Sequence, residues 1–175
     1  MSAFLWDPAP VSLIYVFCQA STGAGNTPSL RFGSTNEACD VLQLTDMGDE
    51  PLADQPLVFV NACETSAAEH TYSNELQNMF LERGSRAYIG SECKVPTSFA
   101  ARFASVFFHF LYTRGHSDAP TAAGEALAQT RKFFWDEYRS IGGLFYSYVN
   151  DDQIFFAKPD EVAAMHRPDL RTSQT

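Results

Sequence analysis

In Pro56-Leu57-Val58-Phe59-Val60-Asn61-Ala62-Cys63-Glu64-Thr65, the four residues Leu57–Val60 are apolar without a break, and three of them are β-branched or aromatic. A short run with no polar position on either side reads as a strand buried on both faces. It stops at Asn61, and a thiol, Cys63, follows two residues later. Upstream, Val11–Phe17 (VSLIYVF) repeats the pattern, with Pro10 before it and Cys18-Gln19 after it. Downstream, Ala87–Gly90 (AYIG) is a third strand of the same kind.

Helical spacing fills the intervals between these strands. In Glu75–Arg83, Leu76, Met79 and Phe80 fall at i, i+3 and i+4; Ser73 or Asn74 can cap the start, and Gly84 stands where a left-handed C′ residue belongs. Ser98–Arg114 places Phe99, Phe103, Val106, Phe107 and Phe110 on one stripe, with Thr97 or Ser98 as cap and Gly115 as terminator. Pro120–Tyr138 carries a second stripe of Ala123, Ala126, Leu127, Thr130, Phe133 and Phe134. Ala20 to Pro28 reads as a loop. Ser29–Phe32 and Asp40–Leu44 read as short strands around an insertion. Gly142-Gly143 breaks the chain, Leu144 to Tyr148 forms a turn or short helix, and Gln153–Ala157 is the expected last strand.

The expectation is one domain over 1–157 and a polar tail over 158–175. Strands alternating with helices imply an α/β fold, a mostly parallel sheet with helices on both faces. Function in such sheets gathers at the carboxyl ends of the strands. Two of those ends carry chemistry: Cys18-Gln19-Ala20 and Asn61-Ala62-Cys63.

Composition removes several classes of function. The 175 residues are 45% hydrophobic and 19% charged, enough for a packed core. The net charge is −9 and the longest run of adjacent basic residues is Arg131-Lys132, so the chain repels nucleic-acid phosphates. No apolar run approaches the ~20 residues of a membrane span. Met1–Pro8 has no basic region ahead of an apolar one and does not read as a signal peptide. A cytoplasmic, reducing setting follows, with the four cysteines as free thiols.

Gly23-Ala24-Gly25 follows a strand, but Pro28 occupies the place of a third glycine, so the dinucleotide fingerprint fails. No phosphate-binding P-loop, no G-x-S-x-G elbow, no C-x-x-C and no H-E-x-x-H occurs. No cofactor and no metal site is expected.

Cys63 has two readings from its position. It is either a small buried hydrophobe or a thiol on the catalytic rim, where nearby peptide N–H groups stabilise its thiolate. Of the histidines, His70 lies in the loop after Cys63, His109 on the flank of a helix beside Arg102, His116 in a turn and His166 in the tail. None is assigned a role. Asp46 and Glu64 are acidic positions available to a pocket.

The ordered set of motifs resembles the CHAT family of caspase-like cysteine peptidases. Pro56–Thr65 resembles the family's nucleophile strand, which ends N/S-A-C-E/H-T/S. Met79–Gly90 resembles its helix–strand unit, and Glu92–Pro96 with Phe99-Ala100 the next loop and helix. Gly124-Glu125-Ala126-Leu127 resembles its "GEAL" helix, and Gly143–Tyr146 its closing segment.

The resemblance implies a caspase-like three-layer sandwich, a Cys63 nucleophile, and a general-base His at the end of the neighbouring strand. That position holds Gln19, and the amide is neither base nor acid near neutral pH. Peptide N–H groups near Ala20 and at Cys63 are the implied oxyanion donors. The expectation is a cysteine peptidase domain, impaired or inactive, or else a silent module binding a peptide or partner protein. An unrelated α/β hydrolase or transferase using Cys63 is a third reading. The family's fold places strands before the one that ends in the base, and only ten residues precede Val11. The first strands are therefore expected to be missing, leaving Val11–Phe17 with an open edge for pairing with another chain.

Overall fold

The computed structural model describes residues 11–22, 28–32, 41–43, 46, 48, 50–64, 69–113 and 120–156. The tail 158–175, the Gly23-Ala24-Gly25 stretch, Cys39, Gly115, His116 and His166 lie outside them. Six strands form one sheet: β1 (Leu13–Thr22), β2 (Pro28–Arg31), β3 (Val41–Gln43), β4 (Leu57–Glu64), β5 (Ala87–Ser91) and β6 (Tyr146–Asn150). The helices are α1 (Glu69–Glu82), α2 (Thr97–Tyr112) and α3 (Ala123–Tyr138), and a 3-10 turn, Gly142–Phe145, precedes β6.

The strand order is β3-β2-β1-β4-β5-β6. β4 lies parallel to both β1 and β5. The β1–β2, β2–β3 and β5–β6 pairs are antiparallel, so the sheet is mixed rather than mostly parallel. The crossovers explain this correction. One helix, α1, carries the chain from the end of β4 back to the start of β5, which makes that pair parallel. Two helices, α2 and α3, follow β5. The second undoes the return made by the first, and β6 enters the sheet from the opposite end.

β1 is interior in the strand order, but β2 reaches only its last four residues, so among the described residues Leu13–Phe17 has a strand neighbour on the β4 side alone. β2 flanks it along Gln19–Thr22 and β4 along Leu13–Ala20. The sheet edges are β3 and β6.

The strand alternation splits the core in two. Ile14, Cys18, Val58, Val60 and Tyr88 pack with Leu76, Met79 and Phe80 of α1 on one face. Leu57, Phe59, Ala87 and Ile89 pack with Phe103 and Phe107 of α2 and Leu127 and Phe134 of α3 on the other. Both faces are thus covered by helices. Gly84 takes φ +87° just past α1, as the sequence predicts for a C′ residue. α2 begins after Pro96 with no side-chain cap, so neither Thr97 nor Ser98 plays the expected part.

Two elements differ from expectation at the C-terminal end. Leu144 to Tyr148 is not a turn throughout, since Tyr146–Asn150 is the last sheet strand. Of the expected strand Gln153–Ala157, only Phe155 makes a bridge, to Ala122, and Ala157 lies outside the described residues. This segment closes a helix instead. The Ala123 N–H donates to the Ile154 carbonyl at 2.8 Å and the Gly124 N–H to the Asp152 carbonyl at 3.0 Å. Those are orphan donors of the first turn of α3, which has no side-chain cap.

Candidate active site

Strands β1, β4 and β5 run parallel and end on one rim of the sheet, at Thr22, Glu64 and Ser91. β4 runs four residues past the apolar stretch that marks it in sequence, so Cys63 is the penultimate residue of the strand rather than just past its end. β1 likewise continues to Thr22, which takes Ala20 out of its expected loop. The register pairs Gln19 with Cys63, and Ala20 with Glu64. Neighbouring strands lie about 4.8 Å apart, so the backbones of positions 19 and 63 face each other across one rung of the ladder. Gln19 is exposed to solvent.

Directly behind this rung lies a buried polar node. Asn61 is 0% exposed in an otherwise apolar stretch of strand. Its Nδ2 donates to the Ala100 carbonyl at 2.7 Å and to the Tyr15 hydroxyl at 3.3 Å. Its Oδ1 accepts from the Tyr146 hydroxyl at 2.7 Å. One amide therefore ties β4 to β1, α2 and β6. The Tyr146 ring stacks on Phe103 with centroids 3.8 Å apart and planes 5° from parallel, which fixes the donor. Sequence reading quoted Asn61 within a motif and gave it no role. The signal was present: a polar residue inside a core strand needs partners.

The far side of the rim is built by the 3-10 turn. The Glu92 N–H donates to the Phe145 carbonyl at 2.7 Å, which continues the β5–β6 ladder into the turn. Arg131 of α3 is half-buried and donates through Nη2 to the Tyr146 carbonyl. Burial pulls its pKa below the ordinary arginine value, while the Glu92 carboxylate acts in the opposite direction. Arg131, Glu92 and Tyr146 were not singled out as site residues from sequence, because their meeting depends on α3 returning to this rim.

The other sequence candidates are placed as follows. Cys18 is buried on the α1 face and Cys93 is half-buried. His70 falls inside α1, which starts at Glu69 rather than Glu75, and so is not a loop residue. His109 is exposed on α2 and packs edge-on against Phe110. Asp46 is exposed, and Glu64 closes β4. Among the described residues, no group of three or more His, Cys, Asp or Glu is arranged to hold a metal ion. Among them, no helix is long and apolar enough to cross a membrane.

The arrangement is that of an α/β protein with a cysteine at the tip of a central strand and a polar residue opposite it on the next. The chain belongs to the CHAT domain family, whose model matches residues 11–156. It is similar to a probable protease of Vitiosangium sp., with 33% identity over 100 residues. That match takes in 54% of this chain and 13% of the relative, so the chain corresponds to a small part of that protein's length.

Proposed function

We propose that the chain is a caspase-like cysteine peptidase domain that binds peptide across the tips of β1 and β4 and has lost most of its hydrolytic power. The observation that carries this reading is the pairing of Gln19 with Cys63 across one rung of the β1–β4 ladder. It gains support from the family match over residues 11–156 and from the protease name of the relative.

The chemistry has two halves. The Cys63 thiolate attacks the peptide carbonyl carbon, and the oxyanion is held by peptide N–H groups at the tip of β4, since the expected donor Ala20 is paired with strands on both sides. The C–N bond then breaks, the amine leaves with a proton, and a thioester remains for water to hydrolyse. An imidazole at position 19 would take the thiol proton and return it to the amine. The Gln19 amide does neither, although it can hold a substrate carbonyl or N–H by hydrogen bonding. Binding survives and turnover falls.

The test is Gln19→His, assayed with fluorogenic peptides. Restoring the base should raise hydrolysis by about 10²–10⁴-fold. A variant that folds and shows no gain would refute the dyad geometry. Alkylation by iodoacetamide near neutral pH gives a second measure: Cys63 should react ahead of Cys18, Cys39 and Cys93. Equal, slow reaction of all four would leave the thiol without activation.

A further inference from the structure

We propose that Ile141, Leu144 and Phe145 form the specificity platform of this cleft, and that its ligand is an extended peptide bearing a bulky, uncharged apolar side chain about three residues from the bond presented to Cys63. The proposal deepens the peptidase reading and rests on it. Three observations carry it.

The first is place. The Phe145 carbonyl is bonded to the Glu92 N–H. Glu92 lies two residues beyond Gly90, which is level with Val60 in the β4–β5 ladder. That pair is the last of the β4–β5 ladder, and Glu92 and Cys63 lie just beyond it on the same rim. β6 stands two strands from β4, a spacing of about 10 Å, or about three residues of extended peptide.

The second is rigidity. Ile141, Leu144 and Phe145 are 55%, 65% and 39% exposed, although all three are large and apolar. They do not sit on a loose loop. The Leu144 N–H donates to the Ile141 carbonyl at 2.9 Å, and the Gly142 N–H donates to the Ser140 hydroxyl at 3.2 Å. A Cβ on Gly142 would come within 2.6 Å of the Phe99 ring, and Gly143 is buried against Phe103 and Arg131. Apolar side chains held out to solvent on an ordered turn lose little freedom when a ligand covers them.

The third is charge. The cations that α3 brings to this turn are already engaged: Arg131 with the Tyr146 carbonyl, Lys132 with Asp136, and Arg139 over the Trp135 ring at 5.9 Å. The Glu92 carboxylate also acts on Arg131 and Asp136 is paired with Lys132, so an acidic side chain would meet two carboxylates there. An apolar one meets three waiting surfaces.

The experiment uses the full chain and fluorescein-labelled hexapeptides of alanine in which one position is Leu, Phe, Ala, Asp or Lys, read by fluorescence anisotropy. The Leu and Phe peptides should bind at least tenfold tighter than the other three. Leu144→Lys and Ile141→Lys, both at exposed positions and checked for fold by circular dichroism, should erase that preference. The Leu peptide should also slow alkylation of Cys63.

Equal binding of the Asp or Lys peptide overturns the proposal. So does a preference untouched by Leu144→Lys, or a Leu preference that leaves Cys63 unprotected. A dimer in sedimentation that Leu144→Lys dissolves, with no peptide preference, would assign the surface to a second copy instead. A silent Gln19→His variant beside an intact Leu preference would sink the hydrolytic chemistry alone.

Discussion

Asn61 shows how one side chain can hold a site without touching substrate. An amide buried without partners costs roughly 1–3 kcal/mol, so its position in a core strand is tolerable only because Ala100, Tyr15 and Tyr146 answer its donors and its acceptor. Asn61→Ala takes the acceptor from the Tyr146 hydroxyl and one of the donors from the Ala100 carbonyl. Urea denaturation should show a loss of about 1–3 kcal/mol. Asn61→Asp keeps the shape but replaces the Nδ2 donor with a second acceptor facing the Ala100 carbonyl, and should fare no better than alanine. A loss below 0.5 kcal/mol, on the order of an ordinary surface change, would show that the node is not structural. The polar break in Leu57–Cys63 is legible in sequence; its three partners, 39 to 85 residues away, are not. The same holds for position 19. Its residue type could be read directly, but its neighbour is set by register.

At the level of elements, the start of α3 depends on a segment that follows β6. Gly124 is required there, because a Cβ would come within 2.7 Å of the Asp152 Cβ. Gly124→Ala should push Asp152 away, loosen the two backbone bonds to 152 and 154, and lower stability by about 1–3 kcal/mol in thermal or urea unfolding. A neutral result would mean that the segment shifts without resistance.

The β5–β6 pair carries its own pH signature. Arg86 Nε lies 2.6 Å from an Asp151 carboxylate oxygen, and this hydrogen bond, aided by the Gln153 N–H, holds the Asp151 pKa below the ordinary carboxylate value. A depressed folded pKa means that the stabilisation is present above the unfolded value and is lost as pH falls through the folded one. Asp151→Asn should therefore weaken the protein slightly at neutral pH. The gap between wild type and variant should shrink as pH drops below about 4. A gap that widens on acidification would reverse the assignment. The elements misread from sequence lie here too. Gln153–Ala157 has the apolar content of a strand, but its Ile154 carbonyl, with that of Asp152 just before it, serves α3. Tyr146–Asn150 has the alternation of a strand but follows a glycine pair that reads as a break.

At the level of the whole molecule, the mixed sheet has its most protected strands in the middle and its weakest at one edge. β4 is paired on both sides and its Leu57–Val60 stretch is buried, whereas β3 has three residues and one neighbour. Native-state hydrogen exchange should find the Leu57–Val60 and Ala87–Ile89 amides opening only with global unfolding, and those of Val41–Gln43 opening far earlier. Comparable rates in β3 and β4 would contradict the observed strand order.

The amino-acid sequence determined by itself what local pattern controls: three central strands, of which Leu57–Val60 and Ala87–Gly90 are buried as expected while Val11–Phe17 leaves Tyr15 and Phe17 exposed, three helices, the glycine that ends α1, and a thiol and an amide near two strand ends. Local pattern is enough for these because burial and dihedral preference act over a few residues. Tertiary structure alone decided that β6 runs antiparallel, that β1 lies inside the sheet, that Asn61 meets Tyr146, and that an apolar turn shares the rim with Cys63. Each depends on how many helices intervene before the chain re-enters the sheet and at what register it pairs. Those are properties of packing between distant segments, and no short window of residues encodes them.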